Sequence, residues 1–213
     1  MDQIQKNNPF IDIIKQYSKV KEMTFPAKKK LNLKGKCYFI LTGIVEKKET
    51  IFSKNILSFY GAGSLIDFSN LYENNNFVSY QALSDVVVYR ISKKDIDFVL
   101  SLATTKPILL QLMNAETSHT HLRNQMMMID TKHRLIHCFQ NLNTLLSTEK
   151  NDFFYLPKEI TMTKLKNYTG LSTTMLYKSL HELRETHAIS RHKDGLKIDL
   201  SMLKKLNNFA KIS

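Results

Sequence analysis

Between residues 172 and 178 the sequence runs Ser-Thr-Thr-Met-Leu-Tyr-Lys, and four of these side chains can do chemistry together. Thr173, Thr174, Tyr177 and Lys178 are two short hydroxyls, a phenol and a cation at helical spacing, so a helix turns them outward while Leu176 and Leu180 turn inward. Such a set at the start of a helix can exchange hydrogen bonds with base edges, and its cation can pair with phosphate. Gly170 suits a left-handed turn residue just upstream, and Ser172 is placed as an N-cap. With Leu165, Leu171, Leu176, Leu180 and Leu183 as shared core, residues 161–180 read as helix, tight turn, helix. An ordinary αα-hairpin with a solvated outer face has the same pattern, so the next segment matters. Residues 188–200 read as two short strands around Asp194-Gly195, a hairpin turn signal, with Arg191, His192 and Lys193 at the tip. A helix–turn–helix followed by a basic-tipped hairpin is a winged helix, and its tip is expected beside a phosphate backbone.

The charge balance agrees with a polyanionic partner. The chain has 213 residues, 31 Lys and Arg against 19 Asp and Glu, a net charge of +12 and a pI near 9.6. Residues 131–213 carry 14 of the basic and 7 of the acidic side chains, more than half the excess on well under half the length. Nucleic acid and anionic membrane are the two candidates. The amino terminus, MDQIQKNN, has no apolar stretch, and nothing approaches the ~20 apolar residues of a spanning helix, so a cytoplasmic protein with no membrane partner is expected. Two cysteines, Cys37 and Cys138, cannot build a disulfide framework or a four-thiolate site.

Other elements must position the basic segment. Short β-branched and aromatic runs cut by Gly, Asn and Ser fill residues 20–92, among them 36–41, 44–45, 51–52, 56–60, 77–83 and 86–91, which predicts an all-β sandwich or barrel. Helical patterns flank it, with Phe10 to Tyr17 before and Ser92 as N-cap of a helix after. From Pro107 the period changes: Leu112, Ala115, His119, Leu122, Met126 and Ile129 recur at alternating spacings of three and four. That stripe either covers the chain's own domain or pairs two chains in a parallel dimer, and a homodimer through these six residues is the expectation. Asp130 and Thr131 break the helix, and a second one is predicted over 132–147.

In this order the parts resemble the Crp/Fnr family of transcription regulators. The match runs from about Tyr17 to Asn208 and is most specific from Ile160-Thr161 through Gly170, Ser172, Leu180 and Leu183 to Ile189-Ser190. The resemblance implies an α+β chain: a β-roll of the cyclic-nucleotide-binding type with flanking helices over 1–106, a dimerisation helix over 107–130 and a winged helix–turn–helix DNA-binding domain over 131–213. It implies a homodimer on a pseudo-palindromic double-stranded DNA operator, and contact with RNA polymerase if the protein activates. By position, Thr161, Ser172 and His192 would touch phosphates while Thr173, Thr174 and Lys178 read bases. Many members carry Arg and Glu where this chain has Thr173 and Thr174, and Arg where it has Lys178, so the operator should differ from that of most relatives. Cyclic-nucleotide-binding members have Gly-Glu followed by Arg-Ser or Arg-Thr. Here stand Gly63-Ser64-Leu65-Ile66-Asp67 and Asn74 to Tyr80, and Arg90 is the sole arginine before residue 123. No cofactor is expected: cAMP lacks its cation, and haem or an iron–sulfur cluster lacks ligands in a roll with one Cys and no His. In these gaps the sensor is more similar to PrfA-type regulators of Gram-positive bacteria, and its effector is unassigned.

The remaining candidates have simpler explanations. His133, His137 and Cys138 have a zinc clamp's spacing without a nearby carboxylate or second thiol, so a core or interface role is expected and no metal. His119 can be a proton switch or a neutral, hydrogen-bonded ring. Cys37 on a strand is a thiol handle or a small hydrophobe. The run Lys28-Lys29-Lys30 is a solvated face. An enzyme is not expected, because all seven histidines fall at or after His119, outside the roll, and no nucleophile elbow, Walker loop or zinc-protease motif occurs. The alternative is a small-molecule-binding β-roll whose basic C-terminal domain contacts RNA or a protein.

Overall fold

The computed structural model describes residues 9–17, 20–33, 35–50, 55–68, 71, 77–102, 106–147, 151–193 and 195–209. The chain runs through α1 (Pro9–Tyr17), β1 (Lys21–Phe25), β2 (Lys30–Leu31), β3 (Lys36–Thr42), β4 (Val45–Glu49), β5 (Ile56–Tyr60) and β6 (Leu65–Ile66). It continues with β7 (Val78–Ala82), β8 (Val86–Ser92), α2 (Lys93–Ser101), α3 (Lys106–Met128) and α4 (Arg134–Leu146). The last third holds β9 (Phe153–Leu156), α5 (Met162–Thr169), α6 (Thr173–Glu185), β10 (Ile189–His192), β11 (Gly195–Asp199) and α7 (Leu200–Phe209).

The apolar runs of the first half form two antiparallel sheets, ordered β1-β8-β3-β6 and β2-β7-β4-β5. Alternation along each strand sends one set of side chains between the sheets, where Tyr38, Ile40, Val45, Tyr60, Tyr80 and Val88 are buried together. The other face of the first sheet offers Cys37, Phe39 and Ile91, which α1 and α2 cover with Ile11, Ile14, Ile96 and Val99. Cys37 is thus a buried strand residue. Ser92 caps α2 as its position predicts: its hydroxyl accepts from Asp95 N–H while its own backbone N–H donates to the Asp95 carboxylate at 2.8 Å. Ile51 and Phe52 lie outside the described residues.

The second sheet is covered by the other half of the chain. In the β4–β5 pair Lys47 faces Ser58 and Lys48 faces Ile56, leaving Leu57 as the extra residue of a bulge. Ile56 and Phe59, at odd spacing, consequently join one core with Met126, Phe139, Leu142, Leu165, Tyr168, Leu180 and Ile198. The roll and the C-terminal half share this core, so strand β5 belongs to both.

This packing corrects two residues of the α3 stripe. His119 and Met126 are buried within their own chain and cannot meet a partner: the His119 ring stacks on Tyr60 at 4.5 Å with Nδ1 3.1 Å from Ser58 Oγ, and Met126 sits in the shared core. Leu122 and Ile129 are half-buried, and the Leu122 carbonyl accepts from Asn141 Nδ2 at 3.0 Å. The side chains of Leu112 and Ala115 lie outside the described residues. An apolar stripe at this spacing marks a face that must be covered without saying what covers it. Two residues further round, about 200° away on a 3.6-residue helix, Leu110, Asn114, Thr117, His121, Asn124 and Met128 are exposed at the same alternating spacing, Met128 at 87%.

Candidate nucleic-acid interface

The helix–turn–helix is built as its sequence requires. Thr161 caps α5, its hydroxyl oxygen accepting from Lys164 N–H at 3.4 Å, and Ser172 caps α6 by accepting from Met175 N–H at 3.2 Å. Both cap hydroxyls are exposed and still have a proton to donate. Gly170 closes α5 at φ +67°, so glycine is favoured by backbone conformation; a Cβ there would meet only the movable end of Met127, Cε at 2.9 Å. Leu165, Leu171, Leu176, Leu180 and Leu183 are all buried. With that face anchored, Thr173, Thr174, Tyr177 and Lys178 stand in solvent, Tyr177 with 54% of its surface exposed.

The structure adds two side chains that the sequence reading omits. His181 and Arg184 follow Tyr177 at i+4 and i+7, are exposed, and extend the same stripe toward the end of α6. Helical spacing alone could have found them.

The wing forms as an antiparallel pair, with Arg191 opposite Leu196 and His192 opposite Gly195. Arg191, His192 and Lys193 are exposed, and Asp194 lies outside the described residues. Gly195 has φ +131°, and a Cβ there would lie 2.7 Å from the Leu156 carbonyl oxygen of the neighbouring strand. That strand, β9, completes the order β10-β11-β9 and is missing from the sequence reading. It brings Tyr155 within 4.9 Å of the His192 ring, so the imidazole is braced from beside the hairpin.

Arg134 joins this unit to α3. Its guanidinium donates to the Met127 and Ile129 carbonyls at 3.2 and 3.0 Å and to the Thr169 carbonyl at 3.4 Å. One cation thus serves carbonyls at the end of α3 and at the end of α5, where helix dipoles present negative charge. The turn between α5 and α6 is tied to α3 at this point.

His133, His137 and Cys138 have separate surroundings. His133 Nδ1 lies 2.7 Å from Asp130 Oδ2, supplying the carboxylate that the sequence reading takes to be missing, whereas His137 Nε2 faces Asn207 Oδ1 at 3.0 Å. Cys138 is fully buried, and burial pushes its thiol pKa up, away from the thiolate that metals bind. Among the described residues no group of three or more His, Cys, Asp or Glu side chains is placed to hold a metal ion. His119 is also far from its ordinary behaviour: burial, reinforced by the Lys47 charge, lowers its pKa to about 4 and keeps the ring neutral. The roll's arginine, Arg90, lies on β8 opposite Lys21 and Tyr38. No helix among the described residues is long and apolar enough to cross a membrane.

Known structures share this architecture. A cyclic-nucleotide-binding-domain protein from Listeria monocytogenes superposes with a TM-score of 0.76 at 19% identity, over 90% of this chain and 96% of its own. FixK2 from Bradyrhizobium japonicum gives 0.71 at 13% identity, over 88% and 96%. A Crp/Fnr-family transcriptional regulator from Thermus thermophilus gives 0.66 at 15% identity, over 88% and 98%. No family model and no curated protein matches the sequence. The fold is therefore that of the Crp/Fnr regulators, a β-roll and long helix followed by a winged helix–turn–helix.

Proposed function

We propose that the protein is a sequence-specific DNA-binding transcription regulator and not an enzyme. One observation carries this: α6 is held from behind by buried leucines, and its free face offers Thr173, Thr174, Tyr177 and Lys178, continued by His181 and Arg184. That face enters a major groove, where hydroxyls and a lysine can read base edges. Thr161, Ser172, Arg191, His192 and Lys193 flank it as phosphate contacts, which fix register and supply the salt-dependent part of the affinity. The basic excess of residues 131–213 supports DNA over a membrane as the polyanion.

The working form is a homodimer. Because His119 and Met126 are committed to their own chain, pairing runs through the opposite side of α3, with Leu110 and Met128 as apolar ends and Asn114, Thr117, His121 and Asn124 between them. Polar layers in such a seam set register at some cost in stability. Two α6 helices then meet half-sites about 34–36 Å apart, one turn of DNA. A cyclic nucleotide is not the effector this reading favours, since the 63–67 segment has no Gly-Glu pair and residues 74–80 offer no arginine. RNA polymerase is the further partner if bound DNA is activated.

Selection from a random duplex library with the full-length chain, followed by gel shift, tests both statements. A pseudo-palindrome bound by two chains is expected, and Leu110→Glu with Met128→Glu should convert the complex to weak single-half-site binding. Enrichment of no sequence, or equal affinity for single-stranded RNA, would contradict the proposal.

A further inference from the structure

Two side chains of α5, Lys164 and Tyr168, stand at i and i+4 and share one face of the helix. Two residues of the roll, Glu46 on β4 and Phe59 on β5, are direct cross-strand partners and share one face of the sheet. These pairs meet. The Tyr168 ring stands edge-on to Phe59 at 5.2 Å between centroids, and Lys164 Nζ donates to Glu46 Oε2 at 2.6 Å, across 118 residues of sequence. Glu46 is completely buried, and its other oxygen is ion-paired with Lys48, whose ammonium also donates to Gln81 at 3.2 Å. The dock therefore has one apolar point and one ionic point.

The two points do different things. An edge-on aromatic contact tolerates some sliding and rotation, but a desolvated carboxylate needs its cation in place. If α5 slipped by a turn, Ile160, Thr161, Asn167 or Tyr168 would come opposite Glu46, and none is cationic. A buried ion pair adds little net stability over an apolar pair of the same size, yet it penalises every arrangement that separates the partners. None of α6's outward face is used in this contact.

We propose that Glu46 is a positioning residue for DNA binding: through Lys164 it fixes the orientation of the helix–turn–helix on the roll. In a dimer it thereby fixes the distance between the two α6 helices and selects the half-site spacing. This rests on the DNA-binding function proposed above. The competing role for Lys164 is a direct phosphate contact, in which Glu46 has no part.

The test uses full-length Glu46→Gln, Lys164→Met and the double variant, with duplexes selected by the wild-type chain and rebuilt with half-sites at varied spacing. Each single substitution should weaken binding at the wild-type spacing by about tenfold and widen the range of spacings bound. The double variant should be no worse than the weaker single, and Glu46→Asp, which keeps the charge, should retain the wild-type spacing preference. Additive losses with an unchanged spacing preference would make Lys164 a phosphate contact and overturn the proposal. If the wild-type chain enriches no duplex, the DNA-binding function itself fails. If it does and Glu46→Gln keeps both affinity and spacing, the positioning role alone fails. Lys164 is partly exposed, so Lys164→Met decides the spacing question should Glu46→Gln not fold, and faster amide exchange in α5 without DNA is expected in either variant.

Discussion

Helices α5 and α6 are joined by a three-residue turn, and they live in opposite surroundings. α5 turns Lys164 and Tyr168 onto the roll, where Glu46 and Phe59 receive them, and Arg134 holds the carbonyl of its last residue, Thr169. α6 uses leucines for anchorage and leaves its polar stripe in solvent. Placement and chemistry are thus divided between neighbours: the inner helix decides where the outer one stands, and the outer one decides what is touched. Substitutions should divide in the same way, with inner changes costing stability and outer changes costing affinity.

The largest effect expected is on the inner side. Phe59→Ala should destabilise the fold by about 3–5 kcal/mol, because it empties a fully buried ring position in a core shared by both halves. Far-ultraviolet circular dichroism and tyrosine fluorescence should report a single coincident unfolding transition before and after the change. Two separate transitions would break the comparison, since the roll and the helix–turn–helix would then be independent.

The next effect is pH-dependent. His119 has a folded-state pKa of about 4 against an ordinary 6.5, so the unfolded chain takes up the proton first. Its contribution to stability is full above about pH 6.5 and drains away as the pH falls toward 4, on the order of 3 kcal/mol over the whole window. Urea midpoints between pH 7 and 4 should fall with that profile, and His119→Gln should flatten it. An unchanged slope in the variant would assign the acid sensitivity to other groups.

The smallest effects lie on the outer side. Arg191→Gln at the wing should leave stability within about 0.5 kcal/mol and reduce the slope of log affinity against log salt by about one per site. A loss of stability there would mean that the wing is structural.

The sequence makes the outer side easy to read and the inner side hard. Ser172, Gly170 and the five leucines identify the helix–turn–helix because caps, a left-handed turn and helical periodicity are local signals. Ser92 with Asp95 is legible for the same reason. Strand β9 escapes because four residues, Phe-Phe-Tyr-Leu, are too few for an alternating pattern to stand out, although Phe154 and Leu156 do alternate inward. The α3 stripe reads as a face needing cover, but for His119 and Met126 the cover is the chain's own core, since periodicity carries no information about the partner surface. Glu46 and Lys164 are single charges far apart in sequence, and nothing in the chain announces that one is fully buried and the other reaches it.

The division of labour is tested most directly by Lys178→Ala, measured on the selected duplex and on a random one at the same salt concentration. If α6's free face reads bases, the variant keeps its unfolding midpoint and loses about 1–3 kcal/mol on the selected duplex, with a much smaller loss on random DNA. An equal loss on both would reduce Lys178 to a phosphate contact and contradict the assignment of the reading face.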